Sequence, residues 1–236
     1  MYYEINSSTN VNKCVISALK IFAGIALSTQ IFGKIKYAIF ASWIAYFLLG
    51  AVMIIFLRFN PRFKLVNTTW SSEDLWNQID SSIRDLFILL PCAVYLNQRY
   101  SISRIVLDDD GESDFYQSPW RWALVPVGVF AGLIWRMLVH RLLHLPKIYR
   151  QCHKIHHLQA PKMTPFSTFN DHPVEFILME IIGTFFLPAI IQPLPVPILT
   201  FLWALQCALG ILDHSNARIP YICDSSYHLT HHQVNE

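Results

Sequence analysis

The residues in this chain with the greatest capacity for chemistry are its histidines. Residues 140–157 read HRLLHLPKIYRQCHKIHH and hold five of them, spaced HxxxH and then HxxHH. A second HxxHH, formed by His228, His231 and His232, lies seventy-five residues after the first; His172 and His214 complete a total of ten, all between positions 140 and 232. Helical residues three and four apart share a face, so His140 is expected to point with His144, and His153 with His156 and His157. Neutral imidazole is the commonest protein ligand for metals, and adjacent histidines seldom serve packing. The three boxes together therefore point to metal binding, where a lone HxxxH would not. The candidate ligands are His140, His144, His153, His156, His157, His172, His214, His228, His231 and His232, with His172, a loop residue before proline, open also to a structural role. So many imidazoles exceed the four positions of a zinc site and suit two ions of higher coordination number; iron accepts imidazole readily. The Glu-x-x-His motif of soluble di-iron bundles is absent. Asp171, Asp213 and Asp224 lie beside or near histidines and are read as acceptors that fix ring orientation. Cys152 is read as a small hydrophobe rather than a ligand, and Trp135 and Arg136, one turn before His140, as packing residues.

The elements that must position these rings are apolar. The 236 residues are 53% hydrophobic and only 14% charged, with mean hydropathy +0.35, whereas an average soluble domain is about 25% charged. That balance belongs to a membrane protein. A net charge of +2 without a dense basic stripe argues against nucleic acid as a partner. Five cysteines without a CxxC pair favour reduced thiols over a disulfide framework or a zinc ribbon.

Residues 1–12 are polar, without the basic start and early apolar core of a secretory signal. Residues 15–32 form a weak membrane helix, interrupted by Lys20, Ser28 and Gln30, and 37–57 a strong one, charge-free and long enough to cross a hydrocarbon core of about 30 Å. Gly33, Lys34, Ile35 and Lys36 are expected to make the turn between them. The run SSED at 71–74 is expected to cap a short helix starting near Leu75. A third apolar stretch, 86–96, crosses only if its polar flanks reach the interfaces. The acidic residues between Asp108 and Asp114 are read as a solvated loop, since the ligand spacing of an EF-hand is absent. Residues 120–139 are a fourth crossing, with Trp120 and Trp122 as interfacial anchors. A loop rich in proline and threonine, 158–170, follows the first HxxHH. The apolar segments 176–191 and 196–212, joined by Gln192-Pro193-Leu194-Pro195, form a helical hairpin. A hairpin returns the chain to the side it left, so His214 and the last box share a side with the first two. Arg141, Lys147, Arg150, Lys154 and Lys162 place that side in the cytosol by the positive-inside rule. The expected fold is all-α: about four membrane helices, a hydrophobic hairpin and a cytosolic histidine layer, divided as 1–118 for the N-terminal helices and 119–236 for the histidine-bearing region.

The ordered segments HRLLH, HKIHH, NDHPVE, LDHSN and YHLTHH resemble the fatty acid hydroxylase and sterol desaturase superfamily, with the likeness running from about Pro119 to the end. The resemblance assigns the family's boxes to the ten histidines named above. It implies a non-haem di-iron centre that activates dioxygen, with zinc able to substitute for iron. Electrons would come from NAD(P)H through cytochrome b5 or a similar separate carrier, the chain having no room for a fused cytochrome. The substrate is implied to be a membrane lipid, hydroxylated or desaturated at the endoplasmic reticulum. The stretch HSNARIP looks like the HSGxxxP segment of sterol C4-methyl oxidases and sterol hydroxylases, which favours a sterol over a fatty acyl chain or sphingoid base. Two departures from the family pattern stand out. Residues 133–136 replace the acidic-aromatic residues that often precede the first box, and the family usually continues past Glu236 to an Asn-Tyr-Gly segment, as expected of a shortened chain. The competing class is a histidine-rich metal transporter or metal-binding membrane protein, which would place ionisable groups inside the spanning helices; residues 37–57 and 196–212 have none.

Overall fold

The structure, a computed structural model, describes residues 7–31, 33–66, 70–106, 109–158 and 162–234. Five helical runs are long and apolar enough to cross a bilayer: 12–29 within α1 (Ser7–Thr29), α2 (Ile35–Phe59), α6 (Pro119–Leu143), the run Pro173–Ile191, and α11 (Val196–Asp213). Their outward faces carry large apolar side chains such as Leu19, Phe22, Ile44, Leu48, Phe130 and Phe201, a surface that water would not tolerate and lipid does. The protein is an all-α integral membrane protein, as its composition required.

The charges inside the first crossing are neutralised locally. Lys20 reaches Asp80 at 2.7 Å, and Ser17 bonds the same carboxylate. Asp80 lies on α3 (Ser72–Arg84), which Ser71 caps with a full capping box. This helix begins at Ser72 rather than near Leu75, because the box already satisfies the free N–H groups of its first turn. A π-helical turn, Asp85–Leu89, joins it to α4 (Leu90–Tyr100). The apolar stretch 86–96 is thus helical, but its run is not among the five candidate crossings. The turn after α1 is tighter than expected, since Ile35 and Lys36 already belong to α2. Gly33 takes φ 74° there, a backbone region that side chains disfavour.

Two loop readings change. The acidic stretch forms α5 (Asp109–Tyr116), in which Glu112 pairs with Lys34 at 3.4 Å; acidic residues at a helix start suit the macrodipole. The described part of the proline- and threonine-rich loop, 162–170, is buried at the centre of the protein apart from Lys162. Its polar groups, backbone and side chain, are satisfied by α3: Gln78 Nε2 donates to Lys162 O at 3.1 Å, Gln78 Oε1 accepts from Ser167 Oγ at 2.9 Å and from Thr164 Oγ1, and Ser82 Oγ donates to Phe166 O at 3.2 Å. Phe166 and Phe169 from this loop pack on Tyr46 of α2, and Phe169 stacks parallel to Trp203 of α11. A polar loop can be buried only when its backbone finds partners, and the fully buried Gln78 supplies them.

The hairpin runs through α9 (Pro173–Phe176), a π-helical segment (Ile177–Phe186) and α10 (Leu187–Ile191), turns at Gln192–Pro195, and returns as α11. A short parallel pair, β1 (Ile105–Val106) with β2 (Leu194–Pro195), ties the turn to the chain before α5. A second hairpin, β3 (Arg218–Ile219) with β4 (Cys223–Asp224), leads into α12 (Ser226–Val234), the helix of the last histidine box. The outgoing arm lies against α6 so closely that a Cβ on Gly132 would stand 2.3 Å from Gly183 O. We expect Gly132→Ala to cost about 1–3 kcal/mol through overpacking and to lower Tm in detergent, measured by tryptophan fluorescence. An unchanged Tm would mean that the helices separate without penalty.

Candidate metal centre

α6 carries His140 in its last turn and hands His144 to its C-cap. After α7 (Pro146–Ile148), a π-helical turn (Tyr149–His153) and α8 (Lys154–His157) carry the first HxxHH. His214 caps the end of α11, and α12 carries the second box. Nine of the ten histidines converge, in two groups. In the first, His140 Nε2 lies 3.0 Å from His231 Nε2 and 3.2 Å from His144 Nε2, and His153 joins them, with His157 Nε2 3.1 Å from His153 Nε2. In the second, His214 Nε2 lies 2.9 Å from His228 Nε2 and 3.4 Å from His156 Nε2, and His228 Nε2 is 3.0 Å from His232 Nε2.

The boxes do not point as units. His153 and His157, four residues apart, serve the first group while His156 turns to the second; in the last box His228 and His232 serve the second while His231 turns to the first. At about 100° per residue, positions i and i+4 lie about 40° apart, but i+3 and i+4 diverge by about 100°. Each HxxHH therefore bridges two centres, and the expectation that all three rings share one direction is corrected. His172 joins neither group: its Nδ1 accepts from Val174 N at 3.2 Å and caps α9. Cys152 stands outside both groups.

The partners on the far side of the rings fix their tautomers. His214 Nδ1 donates to Gly210 O at 2.9 Å, His153 Nδ1 lies 2.7 Å from Glu175 Oε1, and His156 Nδ1 lies 2.7 Å from Asp171 Oδ1. His157 Nδ1 faces His232 O at 3.4 Å. A ring that donates through Nδ1 and is neutral has a bare lone pair on Nε2. Neutrality follows from burial, which depresses the imidazoles: His153 is pushed down to about 2 and His157 to about 4, neighbouring histidines adding to the shift. His214 is likewise lowered to about 4 by burial. His153 and His157 thus aim lone pairs at each other across 3.1 Å, a contact that is repulsive unless a cation takes both. Two nitrogens each about 2.1 Å from one ion lie about 3.0 Å apart at a right angle and about 3.4 Å apart in a tetrahedron. The spacings of 2.9 to 3.4 Å match that range, so the donor set fits metal ions.

Of the carboxylates expected to orient rings, Asp171 alone stands beside one, 2.7 Å from His156 Nδ1 but outside hydrogen-bond geometry. Asp213 is exposed, and Asp224 caps α12 through Ser226 N and pairs with Arg218 at 3.1 Å. Glu175 closes the NDHPVE segment but has no role assigned to it by the sequence; it lies one turn after His172, and its proximity to His153 reveals the role. Arg84 of α3 donates to Asp171 O and lies 2.6 Å from Asp85, bracing the loop that carries the carboxylate. Burial pushes the Asp171 carboxyl well above its usual range, and positive charge beyond the His156 ring would oppose that shift. Beside the first group a basin of about 610 Å³, lined by His144, Tyr149, Arg150, Lys154 and His157, opens to the outside. Below it Arg136 bonds Glu180 at 2.8 Å, and Trp135 donates to Leu178 O at 2.7 Å. Trp135 packs, as expected, whereas Arg136 also lines an apolar cavity of about 130 Å³ between the hairpin and α6.

Fold and site together define an integral membrane protein with a two-part histidine centre at the open end of a helical hairpin. Residues 125–236, just under half of the chain, match the model of the fatty acid hydroxylase family, a match that supports the fatty acid hydroxylase and sterol desaturase superfamily. Fatty acid hydroxylase domain-containing protein 2 of Macaca fascicularis is 29% identical over 118 residues, 47% of this chain and 33% of that protein. Methylsterol monooxygenase 1 of Rattus norvegicus is 31% identical over 120 residues, 46% of this chain and 39% of that protein. The aligned region thus spans between a third and two fifths of the length of these relatives. No solved structure matches the chain significantly.

Two outcomes test the site. Because the folded imidazoles stay neutral below the unfolded pKa of about 6.5, the unfolded chain binds more protons in that window, so stability is present above it and is lost as pH falls toward 4. Bound metal should be retained at pH 7 and released between about pH 6 and 4, followed by elemental analysis after desalting. Glu175→Gln should weaken metal affinity about 10- to 100-fold, read by competition with a chelator.

Proposed function

We propose that the nine convergent histidines hold two iron ions and that the protein oxidises a membrane lipid, a sterol by preference, with dioxygen and an external electron donor. The observation that carries this reading is the pair of imidazole groups whose bare nitrogens meet at metal-ligand spacing beside an apolar cavity at membrane depth. Four imidazoles in each group, with His157 beside the first, suit iron, which accepts imidazole readily; zinc could occupy the same nitrogens as a substitute. Iron would supply the redox chemistry that dioxygen needs before it can attack an unactivated C–H bond. The chain's own contribution is to keep the rings neutral and oriented through Glu175, Asp171 and Gly210, and to keep water from the substrate side with the apolar faces of α6 and α11.

The likeness to a methylsterol monooxygenase and the HSNARIP segment support a sterol. In that segment His214 is a ligand, while Asn216 bonds Val66 through both its amide N–H and its carbonyl oxygen and so holds the outer loop down. The basin beside His144 and His157, rimmed by Arg150 and Lys154, supports delivery of electrons by an acidic carrier such as cytochrome b5, drawing on NAD(P)H. Arg141, Lys147, Arg150, Lys154 and Lys162 on the histidine side support a cytosolic centre at the endoplasmic reticulum. The intramembrane charges, Lys20 with Asp80 and Arg136 with Glu180, are paired rather than strung along an ion path, which favours oxidation over metal transport.

Lipid mass spectrometry of cells with and without the protein should show gain of one oxygen or loss of two hydrogens in a sterol. His156→Ala should remove that product entirely while membrane insertion, which depends on the apolar helices, is unchanged. Iron-loaded protein that consumes no dioxygen with a reductase, a carrier and sterols, acyl lipids or long-chain bases would overturn the proposal.

A further inference from the structure

The cavity of about 130 Å³ below the centre lies between α6, the π-helical arm and α11, with Leu133, Arg136, Thr184, Leu202, Gln206 and Leu209 among its walls. Leu133 and Leu209 are half exposed on the lipid-facing surface, so the cavity communicates with the bilayer. It is apolar except at one place. Gln206, the eleventh residue of an eighteen-residue membrane helix, presents an amide that bonds no other residue among those described. Arg136 Nε is likewise buried without an acceptor. An unpaired amide at membrane depth costs several kcal/mol, because hydrocarbon offers it no partner. Such a group persists where a ligand completes it.

We infer that this cavity binds the polar end of an uncharged lipid, with Gln206 as the residue that recognises a hydroxyl or carbonyl oxygen. The charge class follows from the ion pair at the wall. Arg136 is already neutralised by Glu180 at 2.8 Å, with side chains only 22% and 8% exposed. An anionic headgroup would bring a second negative charge beside a guanidinium that Glu180 already neutralises, and a cationic one would meet the guanidinium itself, so both are disfavoured. A neutral oxygen adds no charge to the pair. The size class follows from the volume, which equals about four water molecules at about 30 Å³ each. It admits one ring or a few carbons, and the rest of the lipid remains in the bilayer. Arg136 precedes His140 by four residues, about 6 Å along the helix axis, which brings the polar end to the edge of the histidine centre. This assignment names the substrate class for the proposed lipid oxidation and rests on that proposal for every step after binding.

Binding can be tested without turnover. The full chain, metal-loaded in detergent, is labelled with a photoactivatable 3-hydroxysterol, its 3-deoxy counterpart and a photoactivatable fatty acid, and the labelled peptides are mapped. The hydroxysterol should label α6 and α11, and Gln206→Leu should cut that labelling about tenfold, with metal content unchanged. The deoxysterol should label wild type no better than the hydroxysterol labels the variant. Leu202→Trp, which fills the cavity from its apolar side, should also remove labelling, guarding against a local effect of the Gln206 change on folding. Equal labelling of wild type and Gln206→Leu, or stronger labelling by the fatty acid carboxylate, would overturn the site. Since labelling needs neither dioxygen nor electrons, specific labelling without oxygen uptake would support this site while removing the oxygenase reading. Oxygen uptake with labelling that ignores Gln206 would do the reverse.

Discussion

The structure depends on keeping nine imidazoles close together, uncharged and aimed inward. Protonated rings at 3 Å would repel strongly in a buried setting, and rings with the wrong tautomer would present N–H groups where lone pairs are needed. Burial removes the first danger, and acceptors behind the rings remove the second. The backbone carbonyl of Gly210 serves His214 and Glu175 serves His153, while Asp171 stands 2.7 Å from His156. Each acceptor comes from the hairpin or from the loop leading into it, so the hairpin's position determines the chemistry of rings that lie outside it.

That position is set from below by close backbone approach and from the side by a buried polar network. Gly132 and Gly183 let α6 and the outgoing arm touch backbone to backbone, a device common where apolar side chains gain nothing over lipid. The π-helical geometry of Ile177–Phe186 widens the arm at the same level, in keeping with the occurrence of such segments at functional sites. Laterally, Gln78 and Ser82 of α3 bond the loop 162–170, and Arg84 bonds the Asp171 backbone. The N-terminal helices are therefore part of the centre's support, although they contribute no histidine.

The same arrangement separates two environments within a short distance. On one side the first histidine group borders an open basin with a basic rim. On the other, the apolar faces of α6 and α11 enclose a small lipid-side cavity bounded by a closed ion pair.

The sequence alone determined the class of the protein and singled out the histidines that the fold brings together. Apolar runs long enough to span a bilayer and histidines clustered in boxes are local patterns, and local patterns survive without tertiary information. The parity of the hairpin, also local, placed His214 and the last box beside the first two. Tertiary structure decided what depends on direction. It split each HxxHH between two centres, because i+3 and i+4 diverge around a helix, and gave His172 to a helix cap. It also drew Glu175 in behind His153 across twenty-two residues and buried a proline- and threonine-rich loop that reads as surface. It turned the acidic stretch into a helix paired to Lys34. Each of these outcomes rests on partners distant in the chain, where hydrogen bonding and packing override what composition suggests.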